Sequence, residues 1–304
     1  MNHPVSRDAE SAERSAVALA RSAPPSLRVA ANPFRKYLRI FRVSLIERLA
    51  YRGDFFLATI LRFLPMITTI LLWGAIFAGA KETTGKTELS GFSYEDMIAY
   101  LLLTHISRAF SSMPGLAAGI ARDIRDGSLK KYLIQPLDML GYLLAYRAAH
   151  KVAYIATVAI PYAGLFAVCA GFFTHFPDAP TFAAYLASLL LAFLIGFHFE
   201  ACIGAIGFWL LEVSSLLYII NTLNYFISGH MFPIDLLGEP AATVLKSLPT
   251  KYLAYFPAAV FLGKIQGHAL VTGLLGAVGW AVGLMLVSRL LYRVGLRRYS
   301  AYGG

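Results

Sequence analysis

Between positions 182 and 211 the chain runs thirty residues with one formal charge, Glu200. A helix of about 20 residues crosses a hydrocarbon core of about 30 Å, so a run of this length and composition belongs in a bilayer. Residues 55–80 hold one charge, Arg62, and residues 152–173 and 265–288 hold none. Two further stretches are long and apolar enough to join them: 97–121, which contains His105 and Arg108, and 214–232, which is charge-free but contains Asn221 and Asn224. The reading is an all-α integral membrane protein with six transmembrane helices. Composition agrees, because 14% of the 304 residues are charged where a soluble domain has about a quarter. An ordinary soluble enzyme is excluded. The two cysteines, Cys169 and Cys202, both lie in apolar runs and supply neither a disulfide framework nor a thiolate metal site.

Orientation follows from the basic residues. Ten Lys and Arg precede the first span, six lie between spans two and three, and four follow the last span. The opposite connectors hold two (Lys81, Lys86), none, and three (Lys246, Lys251, Lys264). Both termini are therefore expected in the cytoplasm, and an even span count agrees, since it places the termini on one side. Most of the net charge of +10 then faces lipid headgroups and cytoplasmic proteins; nucleic acid is not an expected partner.

Residues 1–32 are rich in Ala, Ser, Arg and Pro and read as a disordered cytoplasmic tail; their apolar run at 16–20 is too short for a signal-peptide core. From Phe34 the pattern becomes helical. Phe34, Tyr37, Leu38, Phe41, Leu45 and Leu49 share a face, with Arg35, Lys36, Arg39, Arg42 and Glu47 elsewhere. An amphipathic helix in the inner headgroup layer is expected, its cations near membrane lipid. Ile40, Val43 and Arg48 blur the separation, and a basic flank of the first span is the plainer alternative. Between spans five and six, residues 233–264 carry two apolar stretches divided by Pro249 and broken by Pro257. Both are too short to cross and too apolar for a free loop, so short outer re-entrant helices are expected.

Several chemistries can be set aside. Ala80, Gly85, Lys86 and Thr87 match a relaxed phosphate-loop pattern, but that loop needs a strand leading in and a helix leading out. Here a membrane span leads in, and the charge bias places the loop outside. The seven histidines form no His-Glu-x-x-His, and Gly-x-Ser-x-Gly is absent. No catalytic site, bound cofactor or metal is expected on this chain. ATP and Mg, if used, belong to a partner.

Polar residues inside spans are the remaining candidates. Arg108 shares a face with His105 and Ser112, and Glu200 lies beside His198. These groups line a path, relay protons, or simply hold the bundle through an Arg108–Glu200 pair or through bonds to backbone carbonyls. Ser214, Asn221, Asn224 and Ser228 form a polar stripe in the fifth span, suited to interhelical hydrogen bonds or to lining a path. Gly276, Gly279 and Gly283 share a face of the sixth span and read as a helix-packing motif.

The connector 121–137 alternates charge sign and repeats Leu129, Leu133 and Ile134 at helical spacing until Pro136, as a short amphipathic helix offered to a protein partner would. Its Ile124-Arg125-Asp126-Gly127-Ser128-Leu129, followed by Leu133 and Pro136-Leu137, resembles the stretch between spans two and three in permeases of type-2 ATP-binding-cassette (ABC-2) exporters. Tyr51-Arg52, Leu72-Trp73-Gly74, Ser228-Gly229-His230-Met231-Phe232-Pro233, and then Leu248-Pro249, Pro257 and Gly263, follow in the same order.

The resemblance covers residues 33–304 and implies a six-span permease that pairs with itself or a sister permease on two copies of a cytoplasmic ABC ATPase subunit. It implies coupling roles for Ile124, Arg125, Gly127, Leu129, Leu133 and Pro136, and pathway-lining roles for His105, Arg108, Asn221, Asn224 and Ser228. Pro233, Pro249, Pro257 and Gly263 would shape the outer re-entrant pair. ATP-driven export of an amphiphilic substrate across a bacterial plasma (inner) membrane is the function it implies. The alternative is an ion-coupled secondary transporter using Arg108 and Glu200, a class that usually shows an internal repeat of broken helices; residues 55–173 and 182–288 show no such repeat.

Overall fold

The computed structural model describes residues 33–50, 52–174, 176–210 and 213–299. The expected tail at 1–32 and the motif residue Tyr51 lie outside the described residues. The chain divides into compact units 1–39 and 40–304, and the packing below concerns the second. Among the described residues all regular structure is helical: α1 (Pro33–Ala50), α2 (Arg52–Thr84), α3 (Tyr94–Ser111), α4 (Leu116–Arg125), α5 (Lys130–Leu133), α6 (Met139–Val168), α7 (Ala179–Ala205), α8 (Ser214–Ile227), α9 (Ala241–Ser247), α10 (Tyr255–Phe261) and α11 (Gly267–Arg298).

Four helical stretches are long and apolar enough to cross a membrane: Phe56–Thr84, Met139–Val168, Ala179–Phe208 and Gly267–Arg298. They correspond to the expected first, third, fourth and sixth spans. The third begins thirteen residues before its expected start at 152, because Asp138 caps α6 by accepting from Gly141 N–H at 2.8 Å. The expected second span is not one helix. It is α3 and α4, separated at 112–115 where Pro114 forbids a helical continuation and Gly115 adopts φ +72°. The fifth is also shorter than expected: α8 stops at Ile227, and Gly229 turns the chain with φ +79°. There a Cβ would lie 2.8 Å from the Tyr100 hydroxyl.

At the centre lies α3, where residues 97–104 are buried without interruption, as a helix enclosed on every side requires. A capping box between Ser93 and Asp96 starts it, and Lys264 pairs with Asp96 at 2.7 Å. Beside it, α7 packs against α3, α4, α10 and α11. Close approach rests on glycines of the α7 strip: a Cβ at Gly196 would overlap the Ser111 carbonyl, and one at Gly204 would stand 2.9 Å from the Ala117 carbonyl oxygen. Small residues allow membrane helices this proximity. By contrast, a Cβ at Gly279 or Gly283 would meet nothing within 4 Å in this chain, so the glycine motif expected in the last span is not an internal packing seam. Gly276 does pack, against the Tyr252 hydroxyl.

Residues 233–264 are unevenly buried: most of 237–247 is exposed, whereas 252–261 is buried. All seven residues of α10 are buried, against α3 and α7. Pro249 opens a 3-10 turn, Pro249–Leu253. Pro257 was expected to break the second stretch, yet it sits in the first turn of α10, where a backbone N–H has no helical partner in any case. Gly263, at φ +67°, ends α10: Gly263 N–H reaches Val260 O and Lys264 N–H reaches Ala259 O, the pair of bonds that closes a glycine-terminated helix. Phe173, Phe176, Phe182 and Tyr185 surround Phe261 edge-on at 5.1–6.5 Å between ring centroids, a favourable aromatic geometry.

Candidate functional site

A cavity of about 540 Å³ opens beside the break between α3 and α4. Its lining includes His105, Arg108, Glu200, Asn221 and Asn224, so most of the polar candidates from three separate stretches of sequence meet in one place. Residues 111–115, the break itself, form part of the wall, and Tyr154, Tyr162 and Tyr225 add aromatic surface. Both polar and aromatic groups are therefore available to a ligand with a mixed surface.

The Arg108 guanidinium lies over the Tyr225 ring at 4.9 Å, and the His230 ring stacks on that same tyrosine, 5.7 Å between centroids and nearly parallel. Cation–π contact and stacking thus order α8 against α3. Ser228, one of the expected path residues, is buried. Its hydroxyl reaches the Asn224 carbonyl at 2.5 Å and His230 Nδ1 at 2.6 Å. One hydroxyl proton serves only one of these, and a carbonyl only accepts, so Nδ1 carries the proton that joins it to Ser228. His230 Nε2 is then an acceptor. It is buried and has no partner among the described residues, as is the Asn224 side-chain oxygen. Both residues line the cavity, leaving two acceptors for a ligand's N–H or O–H groups. His230 was not singled out from the sequence; the signal was its place two residues after Ser228 in the motif at 228–233.

Glu200 belongs to the break. Its carboxyl accepts from the Ala117 backbone N–H and lies in the field of Arg147. Gly115, the residue before α4, has no side chain to cap that helix, and a carboxylate from α7 at the positive end of α4 takes the role. His198 is elsewhere: its Nδ1 meets Ser288 Oγ at 2.9 Å and so ties α7 to α11.

The connector expected to meet a partner splits by burial. Leu129 is wholly buried and Ile124 nearly so, packed in a cluster with Met113, Ile120, Met139 and Phe197. Leu133 is 49% exposed and Ile134 81%. Leu129 therefore anchors the segment, while Leu133, Ile134, Arg125 and Pro136 lie on its exposed side. Gly127, at φ +71°, makes the turn between α4 and α5, and Lys131 fixes it through Asp123 at 2.8 Å. Burial alone would lower the Lys131 pKa, but the Asp123 carboxylate outweighs it and holds the ammonium above the usual lysine range. A ladder of rings, Tyr146 on Tyr142 and Tyr142 against Tyr132, joins this segment to Arg48 of α1, which lies over Tyr146 at 5.1 Å.

The phosphate-loop-like residues finish α2 and the turn after it. Gly85 N–H bonds Lys81 O at 3.0 Å, so a helix, not a strand, leads in. Comparison with curated proteins found no match. A family model described as "ABC-2 family transporter protein" matches residues 63–303, which takes in the break, the connector and residues 233–264. This chain belongs to the ABC-2 transporter family, as a multi-pass membrane component of the kind that has no catalysis of its own and works with an ABC ATPase.

Proposed function

We propose that the chain is the permease subunit of an ATP-driven exporter, moving an amphiphilic substrate with ATP and Mg bound by a separate ATPase. One observation carries this reading: the broken helix that lines the cavity at 111–118 continues through α4 into the surface segment 122–137. A push on that segment from the cytoplasm has a covalent route to the cavity wall.

In this reading α3 with α4 forms a second span and α8 with residues 228–232 a fifth, giving six. Both termini face the cytoplasm of a bacterial cell, the basic excess lies on that side, and α1 rests among lipid headgroups. Residues 233–264 are the outer re-entrant cap. Two copies of the ATPase carry two permeases, identical or sister, with Leu133, Ile134 and Arg125 at the docking surface. Arg108, His105, Asn221, Asn224 and His230 line the path.

Purification of the full chain in mild detergent from its native membrane tests the proposal. An ABC ATPase retained at equal stoichiometry, with vanadate-sensitive ATP hydrolysis, is the expected result. A chain free of any ATPase that still accumulates substrate in vesicles under a proton gradient alone would replace this reading with ion-coupled transport.

A further inference from the structure

The break at 112–115 is held by three ionisable side chains from two other helices. At membrane depth, backbone groups freed by a broken helix need partners within the protein. On the carbonyl side, Lys151 Nζ donates to Ala109 O at 2.6 Å and to Ser112 O at 2.5 Å. Arg147, one turn earlier on the same face of α6, donates from Nη1 to Pro114 O at 3.0 Å. On the N–H side, Glu200 of α7 holds Ala117 in the first turn of α4 and lies near Arg147. The end of α3 is thus fastened to α6, and the start of α4 is fastened to α7.

These attachments differ in strength. Lys151 grips α3 by two charge-assisted bonds, which are stronger than neutral ones. Glu200 grips α4 by one. In turn α7 is pinned to α11 by His198 and Ser288 and to the end of α3 by the contact at Gly196, so it does not follow α4 freely. Glu200 and Ala117 both lie on the cavity wall, so a change in the angle between α3 and α4 is felt there.

We infer that residues 112–115 are the hinge through which the 122–137 segment moves the cavity wall, and that Glu200, Arg147 and Lys151 are positioning residues that set its resting angle. This rests on the coupling reading above for its driving force, but the clamp itself is a property of the chain.

Spin labels test it, placed on Ala118→Cys in α4 and Ile160→Cys in α6, with Cys169→Ser and Cys202→Ser removing the native thiols. Without nucleotide, the interlabel distance distribution is expected to be narrow in the otherwise unchanged chain and shifted or broadened in Glu200→Gln. Glu200→Asp, which keeps the carboxylate, should restore part of the narrow population. Arg147→Gln removes the Pro114 contact together with the positive charge near Glu200 and should broaden the distribution too; it serves as the test if Glu200→Gln fails to assemble. Identical distributions in the unchanged chain and both variants would overturn the clamp. With the ATPase bound, ATP plus vanadate should shift the distribution of the unchanged chain. A complex that binds and hydrolyses ATP with no shift at this pair would overturn the hinge and leave the permease reading intact. A chain with no ATPase would overturn that reading, while the nucleotide-free comparison still decides the clamp.

Discussion

Replacing Ile134 by Asp is expected to weaken binding of the ATPase by roughly 30-fold or more and to leave folding of the chain unchanged. The side chain is 81% exposed at the end of α5, so a carboxylate there costs the isolated chain little. In the proposed complex the same position is a central apolar anchor, and losing such an anchor typically costs about 2 kcal/mol or more, where each 1.4 kcal/mol is about tenfold. The contrast is Leu129, five residues earlier and wholly buried. Leu129→Ala removes core volume and should cost about 2–5 kcal/mol of stability, lowering the melting temperature in detergent. Binding measured by pull-down and thermal unfolding measured by fluorescence separate the two. If Ile134→Asp binds the ATPase as tightly as the unchanged chain, the docking surface lies elsewhere.

The second large effect is expected at Lys151. An ammonium only 8% exposed in the middle of an apolar helix bears a desolvation cost, so its removal relieves something. Lys151→Met keeps the volume and removes the charge. Against that relief stand two carbonyls, Ala109 and Ser112, left without this donor. A buried polar group deprived of its partner costs about 1–3 kcal/mol, and two such groups outweigh the gain because breaking a satisfied buried set is more costly than never building it. A net loss of about 2–4 kcal/mol is expected. Lys151→Arg, which retains donors, should recover much of it. A Lys151→Met chain as stable as the parent would show that these carbonyls find other partners and that the break needs no clamp.

How much of this was legible in the sequence depends on which physical signal each element uses. The four long spans were readable because hydropathy sums the property that membrane crossing requires. The start of α6 was missed by thirteen residues, since Arg147 and Lys151 end the apolar run; their charges are absorbed by carbonyls of α3 and of the break after it, which a one-dimensional reading does not see. The break at 112–115 was written plainly as Pro114-Gly115. Averaging over 97–121 hid it, because hydropathy carries no information about backbone continuity.

The polar candidates show the same division. His105, Arg108, Asn221 and Asn224 were picked as intramembrane polar groups, and the fold brings them to one cavity. Glu200 was picked for the same reason, but its partner, the Ala117 N–H, is a backbone group with no sequence signature. Leu129 and Ile134 were indistinguishable by periodicity. Only the turn at Gly127, which aims Leu129 inward, separates the anchor from the exposed pair.

A cross-link at Ile134 tests the central claim most directly. Ile134→Cys, in a chain with Cys169→Ser and Cys202→Ser, is treated with a short bifunctional thiol-to-amine reagent in native membranes. Phe176→Cys is the control: it lies past the other end of α6, a helix of 30 residues and so about 45 Å long. The account predicts a covalent product of this chain with an ABC ATPase from position 134 and none from position 176. An ATPase adduct from 176 and not from 134 would contradict it.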